Sequence, residues 1–141
     1  AISLPYPFHL STPYSINNFI MFIVALTLGL FLVTSLNLLM HILTMFTLDE
    51  KGTMTTYNVI AEIFMGGTIP IPFFPTWLKP IAESLPFRFI GDFPFRIYSN
   101  SIPLQEGYIL IIGSIIWIII TILLGYLISR VSLRKAVIQG G

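Results

Sequence analysis

Two long apolar runs without Asp, Glu, Lys or Arg constrain this chain more than any other feature. The first extends from Phe19 to Phe46 and the second from Tyr108 to Ile128. As α-helices they would measure about 42 Å and about 31 Å, whereas the hydrocarbon core of a bilayer is about 30 Å thick. Each run is therefore long enough to cross a membrane, the first with a tilt or a projecting end.

The composition of the 141 residues places the whole chain in the same class. Hydrophobic residues make up 55% and charged residues 9%, and the mean hydropathy is +0.90. A soluble domain with so few charges would aggregate, so we expect a bilayer as the solvent. The near-neutral net charge gives no indication of nucleic-acid binding. The sequence therefore predicts a single all-α membrane domain over residues 1–141.

A third apolar stretch is interrupted by glycines and prolines. A helix over residues 53–66 would measure only about 20 Å before it reaches Gly66 and Gly67. Five prolines then prevent a regular continuation, namely Pro70, Pro72, Pro75, Pro80 and Pro86. Because unpaired backbone is tolerated in a membrane only inside protein or beside a wet cavity, we expect a re-entrant or interfacial helical hairpin over 67–86. Its short helix would begin with Thr76 as N-cap and end near Ser84.

The predicted organisation is therefore three spans, over about 17–46, 53–66 with the re-entrant 67–86, and 108–129. A short wet turn over 49–52 joins the first two spans, and residues 130–141 form a tail. Basic residues are dense in the tail and in this turn, at Lys51, Arg130, Arg134 and Lys135. They are sparser over 70–106, so the positive-inside rule predicts a cytoplasmic C-terminus, with 1–15 and the 70–106 loop outside.

Polar side chains share one face on the first two spans. On the first span they fall within an arc of roughly 100° and comprise Thr27, Thr34, Asn37, His41 and Thr44. On the second span Thr55, Asn58 and Glu62 share a face with Gly66. Lipid cannot satisfy such groups, so these faces turn toward protein or water, either as interhelical contacts or as a substrate path. On the last span Ser114, Thr121 and Gly125 form a small-residue stripe that suits close helix packing.

Glu62 is the costliest residue to place in a bilayer. It would lie about 13 Å inside the cytoplasmic end of its helix, and His41 would lie at a depth that allows the two to meet. One interpretation is a polar switch or a position in a translocation path. The other is a buried, partly protonated carboxyl group bonded to a neighbouring helix.

Motifs for catalysis are absent from the sequence. It has no G-x-x-x-x-G-K-[ST] nucleotide loop, no H-E-x-x-H zinc motif and no Cys. A single intramembrane carboxyl group is too little for an intramembrane protease or transferase. We therefore predict no enzyme activity and no catalytic, cofactor or metal site in this chain.

The segment that follows the glycine pair carries a resemblance to a known family. The pattern P-x-W-L-x-P-I-x-x-x-L-P extends from Pro75 to Pro86, "LPFRFIGDFPFRIYSN" follows, and the chain ends in "VIQGG". This arrangement resembles the permease, or transmembrane, subunit of type-2 (ABC-2-type) ABC exporters. The resemblance implies the C-terminal half of a six-span unit, and the chain begins with Ala1 rather than Met, so we expect a piece of a longer permease.

The resemblance also implies a function. The chain would be the permease of an ATP-driven exporter in a bacterial plasma membrane, paired with a second permease subunit as a homo- or heterodimer. A separate ABC ATPase subunit would bind ATP and Mg²⁺. The candidate path or gate residues are Asn37, His41, Asn58, Glu62, Gly66, Gly67, Phe73, Phe74 and Trp77. For the three aromatic residues, anchoring at the membrane interface is an equal alternative.

Two other functions are compatible with the sequence. A non-transporting membrane anchor or accessory subunit of a larger complex would have no ATPase partner and no cavity between facing copies. An ion channel would need a continuous wet stripe on every span, and the last span lacks one. The substrate of an exporter cannot be named, because the polar faces are neutral apart from Glu62 and His41.

Overall fold

The computed structural model describes residues 15–140, and every regular element in that range is helical. The helices are α1 (Ile16–Thr44), α2 (Glu50–Phe64), α3 (Lys79–Ser84), α4 (Asp92–Tyr98) and α5 (Leu104–Gly140). Two 3₁₀ turns, Ile71–Phe73 and Pro86–Phe89, lie between α2 and α4. The predicted all-α class is confirmed.

Helices α1 and α5 are long and apolar enough to cross a membrane. Only 28% of the most apolar window of α1 and 17% of that of α5 is buried within the chain. The core helix of a soluble protein would be mostly buried, so these two helices present their apolar surface to something outside the chain. The helix α1 lies close to the predicted 17–46. Helix α5 is longer than the predicted 108–129 and continues through most of the predicted tail.

The two long helices run parallel to each other and pack along their length. Gly107 lies against Met21 near the start of both helices, and Ser132 Oγ lies 3.7 Å from Met45 Sδ at the other end. Between these points the hydroxyl oxygens of Ser35 and Thr121 are 2.9 Å apart. The buried positions on α5 include those of the predicted small-residue stripe, Ser114, Thr121 and Gly125. The prediction that this stripe serves helix packing is confirmed.

Helices α2 and α4 occupy opposite halves of α1. At the C-terminal half, His41 Nδ1 lies 3.9 Å from Glu50 Oε1 of α2. At the N-terminal half, the Phe22 ring packs on Tyr98 of α4 with a centroid distance of 5.1 Å. The Asn18 side chain donates to Asn100 Oδ1 at 3.0 Å just beyond α4. Both helices therefore run antiparallel to α1, one after the other.

The turn between α1 and α2 lies earlier in the chain than predicted, over residues 45–49. Asp49 is the N-cap of α2, and its side chain accepts a hydrogen bond from the Gly52 backbone N–H at 3.0 Å. Such a cap satisfies one of the free N–H groups of the first helical turn. The prediction of a wet turn over 49–52 with a helix from Thr53 is therefore wrong, because Asp49 begins the helix instead of interrupting it.

The residues between α2 and α4 have a small core of their own. Ile71, Phe74 and Ala82 are buried together, and Phe64 at the end of α2 packs edge-on against Phe74. The predicted cap at Thr76 is wrong. The carbonyl oxygen of Pro75 accepts from the N–H groups of Leu78 and Lys79, so residues 75–78 form a turn and α3 begins at Lys79.

Candidate functional site

The break after α2 is built by glycine in a left-handed conformation. Gly66 has φ +80°, a region that L-residues with a Cβ rarely adopt. The Gly67 N–H donates to the Glu62 carbonyl oxygen and the Gly66 N–H to that of Ile63, both at 3.3 Å. This bonding pattern is a Schellman motif, which satisfies carbonyl groups at a helix end. The sequence prediction that α2 stops at the glycine pair is confirmed.

The end of α2 meets the beginning of α4 at this break. A Cβ atom on Gly91, the N-cap of α4, would lie 2.5 Å from the Met65 carbonyl oxygen. A Cβ atom on Gly66 would lie 3.5 Å from Asp92 Cβ. The neighbouring backbone at Phe89 and Ile90 packs against Gly29, near the middle of α1. The junction of α2 and α4 therefore lies beside the middle of the first long helix.

Three charged side chains surround this junction. Asp92 is 7% exposed, and its Oδ2 atom has no hydrogen-bond partner within the range the structure describes. Arg96 Nη1 approaches it to 3.6 Å, which is an ion-pair distance but too long for a hydrogen bond. Arg88 is 8% exposed, and its Nη1 donates to the Glu83 carbonyl oxygen at 3.1 Å. Buried charges are costly unless paired, so this cluster is a candidate functional site.

Sequence reasoning missed this cluster. It placed residues 70–106 in an outer loop, whereas α4 and the 3₁₀ turn before it are largely buried against α1 and α2. One signal was present, because Arg88, Asp92 and Arg96 recur every four residues among aromatic and apolar neighbours. Such spacing would place them on one side of a helix-like segment.

Glu62 and His41 have different partners. His41 faces Glu50, at the first residue of α2. Glu62 lies about 18 Å further along that helix, where its Oε1 atom is 3.5 Å from the Thr68 hydroxyl. The structure therefore does not bring the two predicted site residues together.

The polar face of α2 is exposed within the single chain. Thr55, Asn58 and Glu62 are exposed, whereas Tyr57 and Ala61 on the opposite side are buried against the rest of the chain. On α1, Thr27, Thr34 and His41 are exposed, Asn37 is half-buried and Thr44 is buried. The two polar faces are thus mostly free of contacts with the other described residues of this chain.

The three predicted gate aromatics divide into two groups. Phe74 is buried in the small core with Ile71 and Ala82. Phe73 and Trp77 are 78% and 69% exposed. Phe74 therefore stabilises the segment between α2 and α4, and only Phe73 and Trp77 are available to contact lipid or a partner.

The exposed spans, the interrupted helix and the charged junction all belong to the chain segment that one family model covers. That model, described as ABC-2 family transporter protein, matches residues 8–140. Searches of curated proteins and of solved structures give no match for the chain. The family match confirms the resemblance to ABC-2-type permeases. Because it covers nearly the whole sequence, this chain belongs to the ABC-2 family of membrane transporter proteins.

Proposed function

We propose that the chain crosses the membrane three times, with α2 and α4 together forming the middle crossing. The 15 residues of α2 measure about 22 Å and the 7 residues of α4 about 10 Å. Placed one after the other, they match a hydrocarbon core of about 30 Å. The segment from Gly67 to Ile90 would then begin and end at the junction of α2 and α4 and form a re-entrant hairpin. These three crossings would correspond to the C-terminal half of a six-span permease.

On this framework the chain acts as the permease of an ATP-driven exporter. A second permease subunit would complete the translocation path, and a separate ABC ATPase would supply the energy. The observation that carries the proposal is the exposed polar face of α2, in a chain that belongs to a transporter family. Threonine, asparagine and glutamate side chains have no partner in lipid, so this face would line water or meet the second permease.

The proposed orientation of the chain in the membrane rests on its basic residues. Lys51 and Arg134 lie near the C-terminal end of α1, and α5 continues beyond this end. Lys135 follows Arg134 in the sequence. We propose that this end is cytoplasmic, by the positive-inside rule, in a bacterial plasma membrane. The turn between α1 and α2 and the end of α5 would then be on the side that an ATPase can reach.

The experiment is purification of the full permease from its native membrane with whatever ATPase accompanies it. We expect a subunit with a P-loop to co-purify and its ATP hydrolysis to depend on the permease. Glu62→Gln should lower that hydrolysis while leaving the assembly intact, because the polar face of α2 loses its charge. Glu106→Gln, at an exposed position in the first turn of α5, is the matched control and should behave like the wild type.

Two results would contradict this account in different ways. A complex without any ATPase would favour the non-transporting anchor or accessory subunit. Normal ATP hydrolysis and transport by Glu62→Gln would show that Glu62 serves packing alone and that α2 does not line the translocation path.

A further inference from the structure

A cavity of about 610 Å³ opens where the end of α2 meets α4. Met65, Pro70 and Phe95 supply apolar parts of its wall, and Asp92, Arg96 and Ser99 supply polar parts. Its volume lies within the range of small-molecule sites, and a mostly apolar wall with a few convergent polar groups is typical of them. Such a lining suits a ligand with one apolar and one polar end.

Arg96 has hydrogen-bonding capacity to spare at the polar end. Its guanidinium group carries five N–H donors, and the described contacts engage it only through the approach to Asp92 at 3.6 Å. Its side chain is 25% exposed, whereas that of Asp92 is 4% exposed. A molecule in the cavity would therefore reach the guanidinium group more easily than the carboxylate.

The accessible charge of the cavity is positive. Arg96 and Asp92 are the charged side chains of its lining, whereas Arg88, Glu83 and Glu62 are not part of it. Asp92 is buried and its Oδ2 atom accepts no hydrogen bond from any described residue, so the partly exposed guanidinium group of Arg96 is the charge that a ligand meets first. Burial strengthens the attraction of this group for an anion.

We infer that this cavity binds the anionic headgroup of an amphiphile, with Arg96 donating hydrogen bonds to a phosphate or carboxylate group. A guanidinium group can engage either group through two parallel N–H donors. Met65, Pro70 and Phe95 would contact the first carbons of the apolar part. The inference deepens the proposed function by naming a ligand class, and it rests on that proposal for the placement in a bilayer.

The test is a titration of the full chain, in nonionic detergent, with dodecyl phosphate, followed by native mass spectrometry. We expect Arg96→Gln to bind this probe at least tenfold more weakly than the wild type, and Arg96→Lys to recover part of the loss. Asp92→Asn should bind it more tightly, because the competing carboxylate is gone. The matched control is Arg130→Gln, an exposed arginine on α5 outside the cavity, which should bind within twofold of the wild type.

A second variant protects the test against misfolding of the arginine variants. Phe95 is 63% exposed on the cavity wall, so Phe95→Asp places a negative charge there at the cost of one ring contact, with Phe22 at 6.4 Å. We expect it to weaken dodecyl phosphate binding about tenfold. Dodecyltrimethylammonium and inorganic phosphate should both bind the wild type more weakly than dodecyl phosphate does.

Several outcomes would overturn the inference. One is equal affinity of the wild type, Arg96→Gln and Phe95→Asp for dodecyl phosphate. Another is a loss of affinity in Arg130→Gln as large as that in Arg96→Gln. A third is tighter binding of dodecyltrimethylammonium than of dodecyl phosphate by the wild type. If the wild type binds inorganic phosphate as tightly as dodecyl phosphate, the alkyl chain contributes nothing and the ligand is not an amphiphile. The assay contains no ATP and no partner, so its result is independent of the export proposal. Dodecyl phosphate binding by a permease with which no ATPase co-purifies would contradict only the export proposal.

Discussion

The close approach of Gly91 to the end of α2 makes a prediction about stability. In Gly91→Ala the new Cβ would lie 2.5 Å from the Met65 carbonyl oxygen and 3.1 Å from Met65 Cγ. Both distances are shorter than the ordinary separation of non-bonded heavy atoms. The carbonyl oxygen belongs to the backbone, so a rotamer change cannot relieve the contact. The end of α2 must move away from α4.

We expect this substitution to lower the free energy of unfolding by about 1–3 kcal/mol, the usual cost of an overpacked site. The measurement is unfolding by sodium dodecyl sulfate in mixed micelles, followed by circular dichroism. A displaced junction should also reduce permease-dependent ATP hydrolysis in the proposed complex, since the break lies beside the polar face of α2.

Gly125→Ala is the matched control for Gly91→Ala. Gly125 is also buried, but the nearest atom to its new Cβ is Ile42 Cδ1 at 3.8 Å, an ordinary contact. Within a helix, alanine is favoured over glycine by about 0.5–1 kcal/mol, so this variant should be as stable as the wild type or slightly more so. If both variants unfold at the same detergent concentration, α2 and α4 do not meet as described.

Two further substitutions test local features by the same unfolding assay. Gly66→Ala should lower the free energy of unfolding by about 1–2 kcal/mol, because an L-residue is strained in the left-handed region. Gly66→Asn should lower it less, since asparagine tolerates this conformation. Equal losses would show that the conformation of Gly66 does not matter. Thr121→Val should cost about 0.5–1.5 kcal/mol through loss of the bond to Ser35. Thr27→Val should cost almost nothing, since among the described residues Thr27 bonds to the Ile23 carbonyl oxygen of its own helix and to no other helix. Equal effects would argue against the interhelical bond.

Local signals were sufficient to predict the long helices and the break. The apolar runs are free of Asp, Glu, Lys and Arg over at least the thickness of the hydrocarbon core of a bilayer, and no tertiary contact is needed to recognise them. Gly66 and Gly67 encode the helix end directly, because the first adopts a conformation that a Cβ would strain. The stripe at Ser114, Thr121 and Gly125 was predictable for the same reason, since small residues at helical spacing suit close packing.

The charged junction was not predictable from local signals. Asp92 is buried because α4 packs on α1 and abuts the end of α2, and both contacts join residues that are distant in sequence. The failed cap at Thr76, in contrast, has a local origin. Its side chain is a suitable cap by type, but the Pro75 carbonyl oxygen accepts hydrogen bonds from the N–H groups of Leu78 and Lys79 that the cap would use. Pro80 has no N–H to donate to the Thr76 carbonyl oxygen, so the helical bonds do not continue there.

The contact between Met65 and Gly91 has a consequence for the chain between them. Residues 67–90 leave the bundle and come back to nearly the same point, so they form a closed excursion whose two ends touch. The entropy of closing such a loop changes only slowly with its length. The last part of the excursion, Pro86–Phe89, packs on α1 and α2, so we expect only residues 67–85 to tolerate shortening, extension or exchange for another sequence while α1, α2, α4 and α5 keep their register. New side chains on the surface of this segment could therefore evolve without changes in the helices that hold it.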